Sequence, residues 1–219
     1  MKKRKTLKKR KEPINYTGRT YSDYIDFVKL NPTIITTEMD TVYNNPGGPY
    51  IQIFIFENTG LMIGFLHSEK TSESMASTLY YLQDVLEDDY YKLFSLLLTD
   101  RGPEFQKYNL FEINMETGEL RTNIFYCDPQ KPSQKPHVEN NHNYVRDILP
   151  NSTSLKKLTQ EDVNLMFSHI NSVPRLSLGG KTPYEAFSFF YGEDILKKLN
   201  LQKIEKDMVT LQPYLLKIK

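Results

Sequence analysis

The chain has 219 residues, 39% hydrophobic, 12% aromatic and 25% charged, with a mean hydropathy of −0.53 and a formal net charge of +1. That is enough apolar material for one large domain or two small ones, while no apolar run approaches the roughly 20 residues of a membrane-spanning helix. A single cysteine, Cys127, excludes an internal disulfide framework and a cysteine-rich zinc module, and the basic start leads into no signal-like apolar segment. The expectation is a soluble, intracellular protein without a membrane partner.

The charge is unevenly placed. Lys2, Lys3, Arg4, Lys5, Lys8, Lys9, Arg10 and Lys11 crowd the start; with Glu12 they give the first 12 residues +7 and leave −6 to the rest. So dense a like-charge block reads as a disordered tail, residues 1–17, that contacts DNA phosphates; a solubilising start is the plainer alternative.

Order is expected from about Tyr16, with a short helix capped by Thr20 or Ser22 and stopped by Asn31-Pro32. Ile34–Tyr43 is β-branched and strand-like, Asn44 to Pro49 is a turn by composition, and Tyr50–Glu57 and Leu61–His67 complete an antiparallel meander. The period then changes: Met75, Leu79, Leu82 and Leu86 mark one amphipathic helix over Ser72–Tyr91. Leu93–Thr99 reads as a buried strand, residues 106–123 as irregular, and Ile124–Cys127 as a fifth strand before a proline-rich loop. Helices are expected from Val138 to Leu149, from Thr159 to Ile170 with a capping-box start, and from Thr182 to Tyr191 with Pro183 in its first turn. Residues 193–219 read as a helical or irregular extension. This order suits an α/β fold, a mixed five-stranded sheet flanked by helices.

Three acids stand out. Asp40 interrupts a strand pattern, Asp100 follows an apolar strand where α/β sheets bind ligands, and Glu139 opens the helix after the proline-rich loop. If the first and fourth strands are neighbours, the three can converge, and converging carboxylates call for a hard cation such as Mg²⁺ or Mn²⁺. Solvated turn acids are the plainer reading of each alone. A zinc site from Cys127, His137 and His142 has no supporting spacing.

Glu38-Met39-Asp40-Thr41-Val42, Leu98-Thr99-Asp100-Arg101-Gly102-Pro103-Glu104-Phe105, Phe125 to Pro129 and Gln134-Lys135-Pro136-His137-Val138-Glu139-Asn140-Asn141-His142 occur in that order. Two more blocks follow, His169 to Arg175 and Leu178-Gly179-Gly180-Lys181-Thr182-Pro183. Together they resemble the catalytic domain of family-thirty insertion-sequence transposases, in the retroviral-integrase-like DDE superfamily. The resemblance implies a ribonuclease H-like fold over residues 18–192. It makes Asp40, Asp100 and Glu139 the catalytic carboxylates, holding two Mg²⁺ or Mn²⁺ ions for strand cleavage and strand transfer at DNA phosphodiesters. It implies transposon ends and target DNA as partners, assembly with itself or a full-length transposase, and action on nucleoid DNA in a bacterial cytoplasm.

Arg146 lies two helical turns beyond Glu139 and can face the same way, and the resemblance to the integrase-like superfamily makes it a further candidate DNA contact; His142, one turn beyond Glu139, is a candidate for positioning a phosphate or carboxylate. The chain departs from the family in reading Asp-Arg-Gly-Pro-Glu-Phe where Asp-Asn-Gly-Ser-Glu-Phe is usual. A basic tail also stands where the family carries a helix-turn-helix region. An inactive DNA-binding or oligomerising remnant, or a nuclease that cuts without joining, are the alternative readings.

Overall fold

The computed structural model describes residues 16–216, the Glu139 side chain excepted; the basic block at residues 2–11 lies outside the described residues. Helix α1 (Tyr21–Leu30) begins at a capping box in which Thr20 accepts the Asp23 N–H and the Asp23 carboxylate accepts the Thr20 N–H. Strands β1 (Thr37–Val42), β2 (Tyr50–Phe56) and β3 (Met62–His67) form the expected antiparallel meander.

Helix α2 (Ser72–Leu86) is shorter than its periodicity suggests. Glu87 takes a positive φ of 53°, a 3₁₀ turn follows over Glu87–Asp89, and the chain restarts as α3 (Tyr90–Phe94). Leu93 and Phe94 therefore belong to a helix, and β4 is only Leu96–Thr99. The segment read as irregular contains α4 (Tyr108–Glu112) and a bridge between Ile113 and Leu120. It is ordered by Arg121, buried with its Nε donating to Phe111 O at 2.8 Å and its guanidinium over the Tyr80 ring. After β5 (Asn123–Tyr126) come α5 (Pro136–Ile148), α6 (Gln160–Asn171), α7 (Pro183–Tyr191) and α8 (Glu193–Lys198).

The sheet runs β3-β2-β1-β4-β5, with β1 parallel to β4 and β4 parallel to β5. Side chains alternate across it as a pleated sheet requires. Leu96, Leu98 and Phe125 meet Tyr24 of α1 on one face, whereas Leu97, Ile124 and Tyr126 join the larger core with α2, α5 and α6. Residues beyond α7 close onto that same core through Ile195, Leu196, Leu199, Leu201 and Leu216.

The β3 edge is covered by α6. Asn171 pairs with both backbone groups of Met62 (2.8 and 2.7 Å), and Gln160 accepts the Leu66 N–H and donates to Gly64 O, each at 2.8 Å. Two side-chain amides thus substitute for a sixth strand and protect the edge from another chain. Gly64 is required there, because a Cβ would lie 2.1 Å from the Phe167 ring.

Candidate active site

The parallel pairing of β1 with β4 aligns Glu38 with Leu98. Two residues further along come Asp40, within β1, and Asp100, just past the carboxyl end of β4, so the parallel register brings the two acids level. Each has one oxygen already engaged: Asp40 Oδ1 accepts the Thr41 N–H and Asp100 Oδ1 the Gly102 N–H, both at 2.8 Å. Their Oδ2 atoms share one neighbour. The Lys135 ammonium lies 3.3 Å from Asp40 Oδ2 and 4.0 Å from Asp100 Oδ2, and donates to Met39 O at 3.3 Å. The lysine side chain is only 5% exposed. Burial works against its charge, but Asp40 and Asp100 outweigh it and hold the lysine above its ordinary pKa.

Glu139 lies in the first turn of α5, whose position is fixed from β1. The Glu38 carboxylate, buried, accepts the backbone N–H groups of His137 at 3.3 Å and Val138 at 2.7 Å. Pro136 at the first helical position gives up no hydrogen bond there. Burial pushes Glu38 up to about 7, against the pull of those N–H groups and of Lys135. His142, one turn after Glu139 and on the same helical face, has Nε2 3.4 Å from Asp40 Oδ2.

The loop after β4 is shaped around Asp100. A Cβ on Gly102 would lie 2.7 Å from Glu104 Oε2 and 2.9 Å from Asp100 Oδ1, so both carboxylates press on that position. Glu104 is buried, with Oε1 3.0 Å from Lys70 Nζ and Oε2 without a hydrogen-bond partner. Lys70 in turn sits over the Tyr43 ring. On the outer side Arg101 donates to Cys127 O and approaches Asp128. Cys127 is itself buried, and burial pushes its thiol up to about 12.

The donor chemistry fits a hard divalent cation: the free lone pairs at the strand ends are carboxylate oxygens, and a buried ammonium already stands as a cation between them. Among the described residues no three acids, histidines or cysteines cluster as a metal site; Asp40 and Asp100 are the two carboxylates that could share an ion.

Arg146, read above as a candidate DNA contact, lies in the last turn of α5. It donates to Asn44 Oδ1 in the β1–β2 turn, and Asn44 donates to Pro150 O and Thr153 O, so the guanidinium ties that turn to the end of α5. The later sequence blocks are largely structural. Arg175 is buried flat against Tyr144 of α5, and its loop closes through Gly179 and Gly180, both at positive φ. Glu38 and Lys135 are the residues that motif reading passed over, although both lie inside the quoted blocks. A buried-site signal was available in the acid two residues before Asp40 and the lysine flanking a helix start.

No family model matches the chain. Among curated proteins it is 35% identical over 89 residues to the transposase InsI of insertion sequence element IS30A from Escherichia coli K12, covering 41% of this chain and 22% of that protein. It is 31% identical over 91 residues to a putative integrase, ORF3, of Spiroplasma virus SpV1-R8A2 B, covering 42% and 27%. It is 28% identical over 92 residues to the transposase of IS1086 from Cupriavidus metallidurans, covering 42% and 26%. The chain thus spans about a quarter of the length of these relatives. Among solved structures, a chain of the simian T-cell lymphotropic virus intasome in complex with PP2A regulatory subunit B56 gamma superposes with a TM-score of 0.50 at 16% identity, over 69% of this chain and 53% of that one. The chain is therefore similar in sequence to insertion-sequence transposases of the IS30 type, and its mixed five-stranded sheet with flanking helices is a ribonuclease H-like fold.

Proposed function

We propose that this chain is the catalytic core of a DNA transposase, cleaving strands at the ends of an insertion sequence and joining them to target DNA by metal-dependent phosphoryl transfer. The observation that carries the reading is the meeting of Asp40 and Asp100 Oδ2 atoms around one buried positive charge, at the ends of adjacent parallel strands. Asp40, Asp100 and Glu139 are assigned as the ligands of two Mg²⁺ or Mn²⁺ ions. Bound there, such ions supply an activated water or 3′-hydroxyl and stabilise the leaving oxygen.

The residues of the chain do the positioning. Thr41 and Gly102 N–H groups hold the Oδ1 atoms of the two aspartates, and their Oδ2 atoms both lie within 4.0 Å of the Lys135 ammonium before any substrate arrives. Glu38 holds the start of α5, and with it position 139, against β1. His142 Nε2 lies 3.4 Å from Asp40 Oδ2, and a protonated ring would pair with that carboxylate from the helix side. DNA is the partner, held through phosphates by the basic block at residues 2–11, and the core assembles on it as an oligomer in the bacterial cytoplasm. Lys2, Lys3, Arg4, Lys5, Lys8, Lys9, Arg10 and Lys11 are the assigned phosphate contacts.

Incubation with supercoiled DNA and with inverted-repeat duplexes in Mn²⁺ tests the reading. Metal-dependent nicking and joining should appear, and Asp40→Asn, Asp100→Asn and Glu139→Gln should each remove it. DNA binding with no cleavage at any metal concentration would favour the inactive remnant instead.

A further inference from the structure

We propose that Lys135 is a built-in counter-ion of the Asp40–Asp100 pair, holding the two carboxylates together in the metal-free protein and giving up that place to a divalent cation. The inference rests on the reading above in one respect, that the pair is a cation site.

Lys135 is the residue immediately before α5, and a lysine side chain buried to 5% exposure needs oxygen partners. Its three near partners are Asp40 Oδ2, Asp100 Oδ2 and Met39 O. The aspartate Oδ1 atoms are already engaged by Thr41 and Gly102; of the two Oδ2 atoms the ammonium is nearer that of Asp40, at 3.3 Å, than that of Asp100, at 4.0 Å, whose side chain is half exposed. An ammonium offers three donors and no lone pair, and a metal ion needs the same oxygen lone pairs that the ammonium occupies. Two positive centres within about 4 Å also repel each other. Lysine and metal are therefore competitors for one position.

The fold provides somewhere for the displaced group to go. A cleft of about 300 Å³ adjoins the site, lined by Asp100, Arg101, Asp128, Gln130, Lys131 and Lys135 itself. Rotation of the lysine side chain into this cleft leaves α5 in place, because the first turn is held by Glu38 through the His137 and Val138 N–H groups rather than by Lys135. There the ammonium meets the Asp128 carboxylate, which it would share with Arg101 and Gln134, and the solvent at the mouth of the cleft, where a substrate phosphate would pass.

The test compares wild type, Lys135→Arg and Lys135→Gln by calorimetric titration with Mn²⁺ alone, together with melting temperatures in metal-free buffer. Removing the competing charge should tighten Mn²⁺ binding by about tenfold or more in Lys135→Gln. The same variant should melt lower than wild type without metal and gain more on adding it, whereas Lys135→Arg should bind Mn²⁺ no more tightly than wild type. Equal or weaker Mn²⁺ binding by Lys135→Gln would overturn the exchange while leaving the phosphoryl-transfer reading intact. Absence of Mn²⁺ binding by every form, wild type included, would overturn both. A measurement on wild type covers the case in which the variant does not fold: acylation of Lys135, followed by mass spectrometry, should be slow without metal and at least about fivefold faster at saturating Mg²⁺ if the group moves to the cleft. An unchanged rate counts against the exchange.

Discussion

The Glu38 carboxylate accepts the Val138 backbone N–H at 2.7 Å, so the strand that carries Asp40 also holds the first turn of the helix that carries Glu139. Geometry between the two halves of the candidate site is thus set by a residue with no place in the chemistry. Glu38→Ala leaves the buried Val138 N–H and the part-buried His137 N–H without their acceptor and should cost about 1–3 kcal/mol of stability. Glu38→Gln keeps one acceptor oxygen and should cost less. Urea denaturation of both variants measures this; a loss below about 0.5 kcal/mol in Glu38→Ala would mean that packing alone holds α5.

Gly102 makes a sharper prediction about the other acid. A methyl group there meets Asp100 Oδ1 and Glu104 Oε2 inside 3.0 Å, so Gly102→Ala must shift one of them. Displacing Asp100 should reduce metal-dependent strand cleavage by roughly 10- to 100-fold. The melting temperature should change little, since the position lies in a loop at the sheet's end. Full activity in Gly102→Ala would show that Asp100 tolerates displacement and weaken its assignment.

His67 sets an acid limit on stability. Its Nδ1 lies 2.8 Å from Ser74 Oγ and its Nε2 3.0 Å from Gln52 Oε1, and burial lowers its pKa from 6.5 to about 4. Between those values the unfolded chain binds a proton that the folded protein does not. The contribution is therefore complete above pH 6.5 and is lost as pH falls toward 4. Relative to wild type, His67→Gln should lose about 2 kcal/mol less across this window, a figure reduced for the ring's partial exposure. Parallel denaturation curves at both ends of the window check it, and identical losses in the two proteins would contradict it.

Much of the architecture was legible because its signals are local. The β1–β3 meander, the capping box at Thr159 and a helix start at Thr20, with Ser22 as the alternative, follow from alternation, turn composition and N-cap chemistry. What escaped is non-local. The break at Glu87 depends on a positive φ that glutamate does not advertise, and α3 then takes two leucine-run residues that read as strand. Arg121 reads as a surface residue but orders residues 108–123 from inside. Asp40 and Asp100 could be named from strand position and motif. Lys135 could not be linked to them, because only the β1–β4 pairing brings strand ends and helix start together.

The basic block makes a prediction about DNA that does not depend on the folded core. Its eight Lys and Arg residues stand against a charge of −6 in the rest of the chain, so they should supply most of the affinity and little sequence preference. Deleting residues 1–12 should weaken binding to all duplexes alike and flatten the salt dependence. The slope of log K against log salt should fall by about 0.9 for every phosphate that the tail no longer neutralises. A salt series on intact and deleted protein decides it. Unchanged affinity after deletion would place the DNA surface on the core.

The central claim is that Asp40, Asp100 and Glu139 form one divalent-metal site. Anomalous diffraction from crystals soaked in Mn²⁺ tests it most directly. The prediction is one or two manganese peaks at coordination distance, about 2.1 Å, from carboxylate oxygens of Asp40 and Asp100, with Glu139 joining them and the Lys135 ammonium moved away. Manganese bound elsewhere, with Lys135 still between the two aspartates at saturating metal, would contradict the account.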